Sequence, residues 1–237
     1  MNKRIRLSRR MQALIQMLLD EKDLPVDTVA DIGCDHAFVS MACIENKIAN
    51  HVIAMDVGVQ PLEIAQSNLR EYGYEQVIET RLSDGFMALQ PKEAEWAILA
   101  GMGGALMSRI LQQGSCHLEA GVKLVLQPQS EPELVRVHLE RVGYQIVDEE
   151  MLVEDGKYYT IIKAKQGNMV CDDIQRRFGP VLLEKKHPVL RQFLSDVYKK
   201  NMQLKTGLQS STTPAAQKRR KELEWEISLL EKALRVI

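Results

Sequence analysis

Three aspartates of this 237-residue sequence follow short apolar segments. The first segment, VADIGCDHA, passes through Gly33 and reaches Asp35 where a dinucleotide-binding loop has its second glycine. A carboxylate at that position repels a pyrophosphate, whereas it attracts a ligand with a cationic end, such as an amino group or a sulfonium. The turn therefore favours a cationic ligand over a dinucleotide.

The other two aspartates extend this pattern to the next apolar segments. Asp56 ends HVIAMD, 23 residues after Gly33, where a carboxylate can accept hydrogen bonds from both hydroxyls of a ribose. Asp84 follows a third segment and is placed to accept a hydrogen bond from an exocyclic amine. A ribose, an adenine and a cationic amino-acid tail together describe S-adenosylmethionine, with S-adenosylhomocysteine as the product of methyl transfer. The pattern therefore predicts this cofactor.

Residues near the three aspartates are predicted to share in cofactor binding, although each has an ordinary alternative. An aspartate after a strand often caps a turn or helix, and Cys34 fits a buried, unreactive thiol. His36 fits either a structural or a chemical role. The predicted cofactor-binding residues are Asp31, Gly33, Cys34, Asp35, His36, Asp56, Val57, Ser83, Asp84, Gly85, Ala100, Gly101 and Met102.

The segment AGMGG, residues 100–104, follows a fourth apolar segment and contains three glycines in four residues. Glycines let a flat base approach the backbone closely, and they adopt dihedral angles that other residues avoid. An ordinary strand-to-helix turn is the alternative explanation. The predicted catalytic residues, which face the substrate, are Asp35, Gly101, Met102 and Gly103.

Short apolar segments alternate with helical patterns through the first two-thirds of the chain. This alternation predicts an α/β fold with a Rossmann-like doubly wound sheet over residues 1–166. Together with the predicted cofactor, it indicates the class I methyltransferase type. Two strands within 144–165, joined at Asp155-Gly156, predict an antiparallel hairpin at the sheet edge. Strands are expected at 28–33, 51–56, 77–85, 96–104 and 122–129, and helices at 8–20, after the first turn to 46, and at 61–71, 86–90, 104–113 and 131–142.

Residues 167–237 are predicted to form a second, helical domain. Apolar residues at spacings of four and three indicate two antiparallel helices of coiled-coil type, with Asn201 as a polar residue in their seam. The link QSSTTP, residues 209–214, offers Thr213 as an N-cap and Pro214 as the first helical residue. Packing of these helices on the first domain remains an alternative.

Two basic clusters, one near each end of a chain of net charge −1, suggest a polyanionic partner. The remaining composition is typical of a cytoplasmic globular protein: no apolar run reaches membrane length, and the N-terminus lacks the features of a signal peptide. Scattered cysteines and histidines predict no metal site. The oligomeric state is not determined, with a monomer favoured. The basic residues that could contact such a partner are Arg4, Arg6, Arg9, Arg10, Lys218, Arg219, Arg220 and Lys221.

The motifs ADIGCDHA, AMDVG, SDG, LAGMGG and LQPQ, together with the basic start RLSRRMQAL, resemble the bacterial tRNA (adenine(22)-N1)-methyltransferase family, TrmK. The resemblance covers residues 6–165 in order, and a helical hairpin after the catalytic domain also belongs to that family. After the first motif this chain has FVSMA, where the family often has an aromatic residue followed by Leu-Pro. The difference affects the start of the following helix and removes no charged group.

The resemblance implies methyl transfer from S-adenosylmethionine to N1 of an adenine in the D-arm of tRNA. The residues of the two basic clusters are then the predicted RNA-binding residues. Two other functions remain open from the residues themselves. A small-molecule methyltransferase would share the sheet, but it would not need the two basic clusters. A non-catalytic RNA-binding protein would not need aspartates at three strand ends.

Overall fold

The computed structural model describes residues 5–209 and 213–237. The chain divides after Met169 into two compact units. The first contains the sheet, and the second is helical. None of the helices in the described ranges is long and apolar enough to cross a membrane.

The described part of the first unit forms one sheet of seven strands in the order β3-β2-β1-β4-β5-β7-β6. Strands β1 to β5 are parallel, and β7 and β6 add antiparallel strands at one edge. This architecture confirms the predicted doubly wound fold with its edge hairpin. The strands are β1 Val26–Ile32, β2 Ala49–Asp56, β3 Ile78–Leu82, β4 Trp96–Met102, β5 Lys123–Pro128, β6 Tyr144–Glu154 and β7 Lys157–Gln166.

The strand order reverses at β1, which pairs with β2 on one side and with β4 on the other. Ile32 of β1 lies beside Leu99 of β4 near the carboxyl ends of these strands. The connections from these ends leave in opposite directions, which opens a crevice at that place in sheets of this kind. The topology therefore fixes where a ligand site is expected.

Helices cover the sheet between the strands. They are α1 Arg9–Leu19, α2 Phe38–Glu45, α3 Val59–Tyr72, α4 Gly104–Gln113, α5 Ser115–Glu119 and α6 Pro132–Arg141. The helix expected at 61–71 begins two residues earlier, because Gly58, whose backbone is extended, is its N-cap. Pro61 is therefore the third residue of α3. Helix α5 was not predicted, since its five residues are too few to show a helical period.

The helix predicted at residues 86–90 is wrong, because this segment forms turns. The hydroxyl of Ser83 donates to the carbonyl of Gly85 at 2.8 Å and accepts from the N–H of Ala88 at 3.0 Å. Phe86 and Leu89 are almost fully buried. A side-chain hydroxyl and two buried apolar residues therefore hold the segment without a helical ladder.

Helix α1 is fixed at both ends. Its N-cap is Ser8, as predicted, whose hydroxyl accepts from the N–H of Met11. Near the other end, the buried ammonium of Lys163 donates to the carbonyl of Met17 at 2.8 Å and pairs with Glu21 at 2.6 Å. A cation near the last carbonyls complements the helix dipole. This helix is therefore held against the sheet, close to the crevice.

The second unit contains α7 Asp173–Phe178, α8 Pro180–Glu184, α9 Pro188–Gly207 and α10 Pro214–Val236. The predicted antiparallel pairing of α9 and α10 is confirmed: Asn201 donates to Glu226 at 2.9 Å, and Lys205 lies 3.2 Å from Glu224. Thr213 caps α10 ahead of Pro214, as predicted. Part of the predicted link 209–214 lies outside the described residues.

The seam between α9 and α10 is less regular than its spacing predicts. Leu190 and Leu194 of α9 and Leu223 of α10 are fully buried, whereas Leu204 is 44% exposed. The polar Asn201 is 5% exposed and lies in the seam. Its partner Glu226 provides a specific hydrogen bond, which fixes the register of the two helices.

Candidate functional site

A cleft with a volume of about 290 Å³ lies at the carboxyl ends of β1 and β4, at the reversal of the strand order. Residues from the ends of β1, β2, β4 and β5 and from α1 and α2 meet there, although they are far apart in sequence. Its lining residues are Arg10, Met11, Leu14, Asp31, Gly33, Cys34, Asp35, Val39, Asp56, Ala100, Gly101, Gln127 and Gln129.

The turn after β1 places Asp35 at the cleft by an unusual backbone path. Gly33, Asp35 and Ala37 have φ angles of 81°, 49° and 59°, in the left-handed region. The N–H groups of Gly33 and Cys34 both donate to the carbonyl of Met55, at 2.8 and 2.9 Å. The turn is thereby tied to β2, and the Asp35 side chain remains 70% exposed. An exposed carboxylate therefore lies where dinucleotide-binding proteins have glycine backbone.

The carboxylate of Asp56 is oriented before any ligand binds. One oxygen accepts from the N–H of Gly58 at 2.9 Å, and the other lies 3.4 Å from the N–H of Asp35. Each carboxylate oxygen retains further acceptor capacity. The Asp56 carboxylate can therefore accept hydrogen bonds from both hydroxyls of a diol without a change of rotamer.

Asp31 is the buried acid of the cleft, only 3% exposed. Burial raises its pKa from 3.8 to about 6, although the Ser40 hydroxyl, which donates to it at 2.5 Å, counters part of this effect. The nearby charge of Asp56 adds to the rise. The cleft therefore contains negative charge that a bound cation would neutralise.

The pKa of Asp31 predicts a pH-dependent stability. Between about pH 4 and pH 6 the folded chain retains a proton on Asp31 that the unfolded chain has released, so the free energy of unfolding falls as pH rises through this window. The full cost above the window is about 3 kcal/mol. Urea unfolding of Asp31→Asn at several pH values should lack this component, whereas Asp27→Asn, an exposed acid of the same strand, should retain it. Parallel profiles for wild type and Asp31→Asn would contradict the assignment.

Cys34 and His36 flank Asp35 in different environments. Burial raises the pKa of the Cys34 thiol, and the charges of Asp31 and Asp56 raise it further, so the group stays protonated. The His36 ring is 46% exposed, 3.6 Å from Asp35, and its ring centroid lies 5.9 Å from that of Phe38. His36 is not among the residues that line the cleft.

The segment AGMGG is brought to the cleft only in part. Ala100 and Gly101 line it, whereas Met102 and Gly103 do not. Gly101 has a φ of 81°, and its N–H donates at 3.2 Å to the side-chain oxygen of Gln127, which is 2% exposed. A glycine and a buried amide therefore set the shape of this wall.

The last two glycines of the segment serve packing. A Cβ on Gly103 would lie 3.1 Å from the Ser130 hydroxyl. A Cβ on Gly104 would lie 2.2 Å from the carbonyl oxygen of Glu131, so only glycine fits at the start of α4. The terminal methyl of Met102 packs against the turn at Gly33. A Cβ on Gly33 would lie 3.0 Å from this methyl.

The predicted residues after β2 and β3 lie next to Asp56 but outside the cleft lining. The N–H of Ser83 donates to the carbonyl of Asp56 at 2.9 Å, which joins the two strand ends. Ser83 and Gly85 are buried, whereas Asp84 and Val57 are exposed. An apolar side chain and a carboxylate therefore border Asp56 on an open surface.

Several cleft residues were not predicted as cofactor ligands. Met11 and Leu14 belong to the apolar face of α1, and Val39 is on α2; such residues are normally read as core. Gln127 and Gln129 lie at the carboxyl end of the fifth strand, and this position could have indicated that they line the cleft. Arg10 also lines the cleft, although it was predicted to bind RNA.

The predicted RNA-binding residues occupy different environments. Arg6 and Arg9 are exposed, and Arg4 lies outside the described residues. On α10, Lys218 and Lys221 are exposed. Arg219 pairs with Glu222 at 3.0 Å and Glu226 at 3.2 Å, and Arg220 donates to the carbonyl of Gln209 at 3.3 Å. Acidic residues of the same helix therefore partly neutralise the second basic cluster, residues 218–221.

A larger cavity of about 490 Å³ lies at the opposite end of the sheet, beside the amino ends of β1, β4 and β5. Glu95, Trp96 and Lys123 contribute to its walls, and it contains none of the predicted site residues. Of the two cavities, the smaller cleft is the one that contains predicted site residues, among them Asp31, Asp35 and Asp56.

Across the part of the chain that the structure describes, no group of three or more His, Cys, Asp or Glu side chains could hold a metal ion.

Comparison with known proteins agrees with this geometry. The sequence model of TrmK, tRNA (adenine(22)-N(1))-methyltransferase, matches residues 29–232. The tRNA (adenine(22)-N(1))-methyltransferase of Bacillus subtilis (strain 168) is 28% identical over 237 residues, spanning 97% of this chain and 98% of that protein. The crystal structure of B. subtilis TrmK superposes with a TM-score of 0.86 at 26% identity, covering 98% of this chain and 100% of that one. Sp1610 of Streptococcus pneumoniae, solved in complex with S-adenosyl-L-methionine, superposes with a TM-score of 0.83 at 28% identity, covering 97% and 100%. The chain belongs to the tRNA (adenine(22)-N(1))-methyltransferase family.

Proposed function

We propose that this chain transfers a methyl group from S-adenosylmethionine to N1 of adenine 22 in the D-arm of tRNA. The observation that carries the proposal is the cleft at the strand reversal, where Asp31, Asp35 and Asp56 meet beside the Gly101 loop. Membership of the methyltransferase family supports the reaction and the substrate. Such an enzyme acts where tRNA is, which is consistent with the cytoplasm.

The donor set of the cleft fits S-adenosylmethionine. Asp56 has an oriented carboxylate for the ribose hydroxyls, and Val57 and Asp84 beside it offer an apolar contact and an acceptor for the adenine amine. Asp31 and Asp35 supply negative charge for the ammonium and the sulfonium. A pyrophosphate would meet these same carboxylates and be repelled.

The reaction places modest demands on the protein. S-adenosylmethionine, when bound, supplies a methyl group on a cationic sulfur, which makes it electrophilic. N1 of adenine has a free lone pair, so no proton must leave before attack and no strong general base is needed. Asp35 is well placed to stabilise positive charge that develops on the base, and Gly101 permits a flat base to approach the backbone. Alignment in a closed site is then the main contribution of the chain.

The substrate base must leave its stack, because N1 lies on the pairing edge. Extrusion of a base costs a few kcal/mol, which contacts from Lys and Arg to phosphates can offset. Four exposed residues are suited to this role: Arg6 just before α1, Arg9 at its first position, and Lys218 and Lys221 on α10. We therefore assign methyl transfer to residues 1–166 and tRNA contacts in part to residues 167–237.

Mass spectrometry of nucleosides tests this proposal. A tRNA transcribed in vitro, which has adenine at position 22 and carries no modified nucleosides, is incubated with the full chain and S-adenosylmethionine and then digested to nucleosides. The proposal predicts the appearance of 1-methyladenosine. Formation of another methylated nucleoside, or none in the presence of a binding-competent chain, would contradict it.

The exposed lysines of α10 are expected to contribute to tRNA affinity. Lys218→Gln/Lys221→Gln should weaken tRNA binding and reduce the slope of log affinity against log salt by up to about 2, because each phosphate contact releases about one counterion. Filter binding across a salt series measures both quantities. The control Lys157→Gln/Lys165→Gln removes two exposed charges from β7 and should leave the slope unchanged. Equal slopes for both variants and wild type would assign the hairpin a structural role.

A further inference from the structure

We infer that Arg10 binds the carboxylate group of the amino-acid tail of the cofactor, and that Glu154 and Tyr159 position its guanidinium at the cleft. This inference deepens the proposed function and depends on the proposed cofactor. It moves Arg10 from the predicted RNA-binding residues to the cofactor site.

The charge of the cleft creates the need for such a residue. The amino-acid tail of S-adenosylmethionine carries a carboxylate as well as an ammonium. Asp31, Asp35 and Asp56 suit the cationic groups, but they would repel the carboxylate. Among the described residues that line the cleft, Arg10 is the one lysine or arginine. It is therefore the side chain that can balance the anionic end of the tail.

Glu154, at the end of β6, fixes the start of α1 beside the cleft. Its Oε1 accepts from the N–H of Arg9 at 2.6 Å and lies 3.4 Å from the N–H of Arg10. Its Oε2 is 3.6 Å from Nε of Arg10, which is an ion pair without a hydrogen bond. One carboxylate therefore positions both the backbone and the side chain of Arg10.

Tyr159, on β7, provides a second constraint. The Cζ atom of Arg10 lies 5.3 Å from the centre of the Tyr159 ring, a cation–π contact. Neither Nη atom of Arg10 makes a hydrogen bond to a described residue, and the side chain is 30% exposed. The guanidinium is thus positioned by the Glu154 carboxylate near Nε and by the Tyr159 ring on one face. Its two Nη groups remain available for a bidentate contact with a carboxylate.

A tRNA phosphate offers the same anionic chemistry, so the position of Arg10 must decide between the two ligands. Arg10 lines the cleft together with Asp31 and Gly33, and the cationic group of the amino-acid tail is proposed to bind at Asp31. Its neighbour Arg9 is exposed and does not line the cleft. The position therefore favours the cofactor.

Two ligands that differ in the amino-acid tail test the inference. Calorimetry is performed with S-adenosylhomocysteine, which has the carboxylate, and with 5′-methylthioadenosine, which lacks the whole tail. Arg10→Gln should weaken S-adenosylhomocysteine binding roughly 10- to 100-fold, because a charge-assisted hydrogen bond is lost, and should leave 5′-methylthioadenosine binding unchanged. Arg10→Lys should recover part of the loss. The control Arg9→Gln should leave both affinities unchanged.

The possible outcomes separate this inference from the proposed function. Equal weakening of both ligands by Arg10→Gln would show a general effect on the cleft and overturn the inference. Unchanged S-adenosylhomocysteine affinity with weaker tRNA binding would assign Arg10 to a phosphate and also overturn it. A wild-type chain that binds neither nucleoside would overturn the proposed cofactor itself.

Discussion

Asp56→Ala is expected to weaken binding of S-adenosylmethionine roughly 10- to 100-fold while the fold stays intact. Loss of a charge-assisted hydrogen bond costs about 1.5–3 kcal/mol, and the oriented carboxylate of Asp56 is proposed to accept two such bonds from the ribose. Calorimetry of the variant measures the affinity, and thermal unfolding by circular dichroism checks the fold.

A matched control separates the role of Asp56 from the loss of one negative charge. Asp27→Ala removes an exposed carboxylate from the beginning of β1, at the other end of the sheet, and should leave cofactor affinity unchanged. If Asp56→Ala binds the cofactor as tightly as Asp27→Ala, Asp56 is not part of the cofactor site.

Asp35→Asn is expected to slow methyl transfer roughly 10-fold or more. The variant keeps the shape of the side chain and removes its charge, and asparagine tolerates the left-handed φ of 49° at this position. The loss should therefore report the electrostatic contribution of the carboxylate to the cationic tail or to the methylated base. Initial rates with methyl-labelled S-adenosylmethionine and tRNA measure it.

The comparison between Asp35→Asn and Asp35→Ala adds a test of the turn. Alanine also removes the charge, and it tolerates a positive φ less well, so it should additionally lower thermal stability. If Asp35→Asn methylates tRNA at the wild-type rate, the electrostatic role of Asp35 is excluded.

The sheet could be predicted from the sequence because its strands are short, apolar and separated by helical patterns. The turn at Asp155-Gly156 was also predicted, since these residues suit a tight hairpin, and both have positive φ. The helix expected at 86–90 was wrong because Ser83 satisfies the backbone of that segment with its side chain. Local composition does not show such a hydrogen bond in advance.

The strand-end members of the cleft could be predicted because parallel strands bring their carboxyl ends to one edge. Asp31, Asp35 and Asp56 meet there for this reason. The contribution of α1 could not be predicted in the same way, because its placement depends on contacts with distant residues. Glu154 and Lys163 lie about 145 residues from the parts of α1 that they hold. Arg10 was consequently interpreted as part of a basic N-terminal segment.

Two tRNA transcripts that differ only at position 22 show whether the chain methylates adenine 22. Both are incubated with the chain and methyl-labelled S-adenosylmethionine, and nuclease fragments are then analysed by mass spectrometry. We expect one methyl group on the fragment that contains adenine 22, recovered as 1-methyladenosine, and none on the transcript with guanine at that position. Methylation of a different nucleotide, or equal methylation of both transcripts, would contradict it.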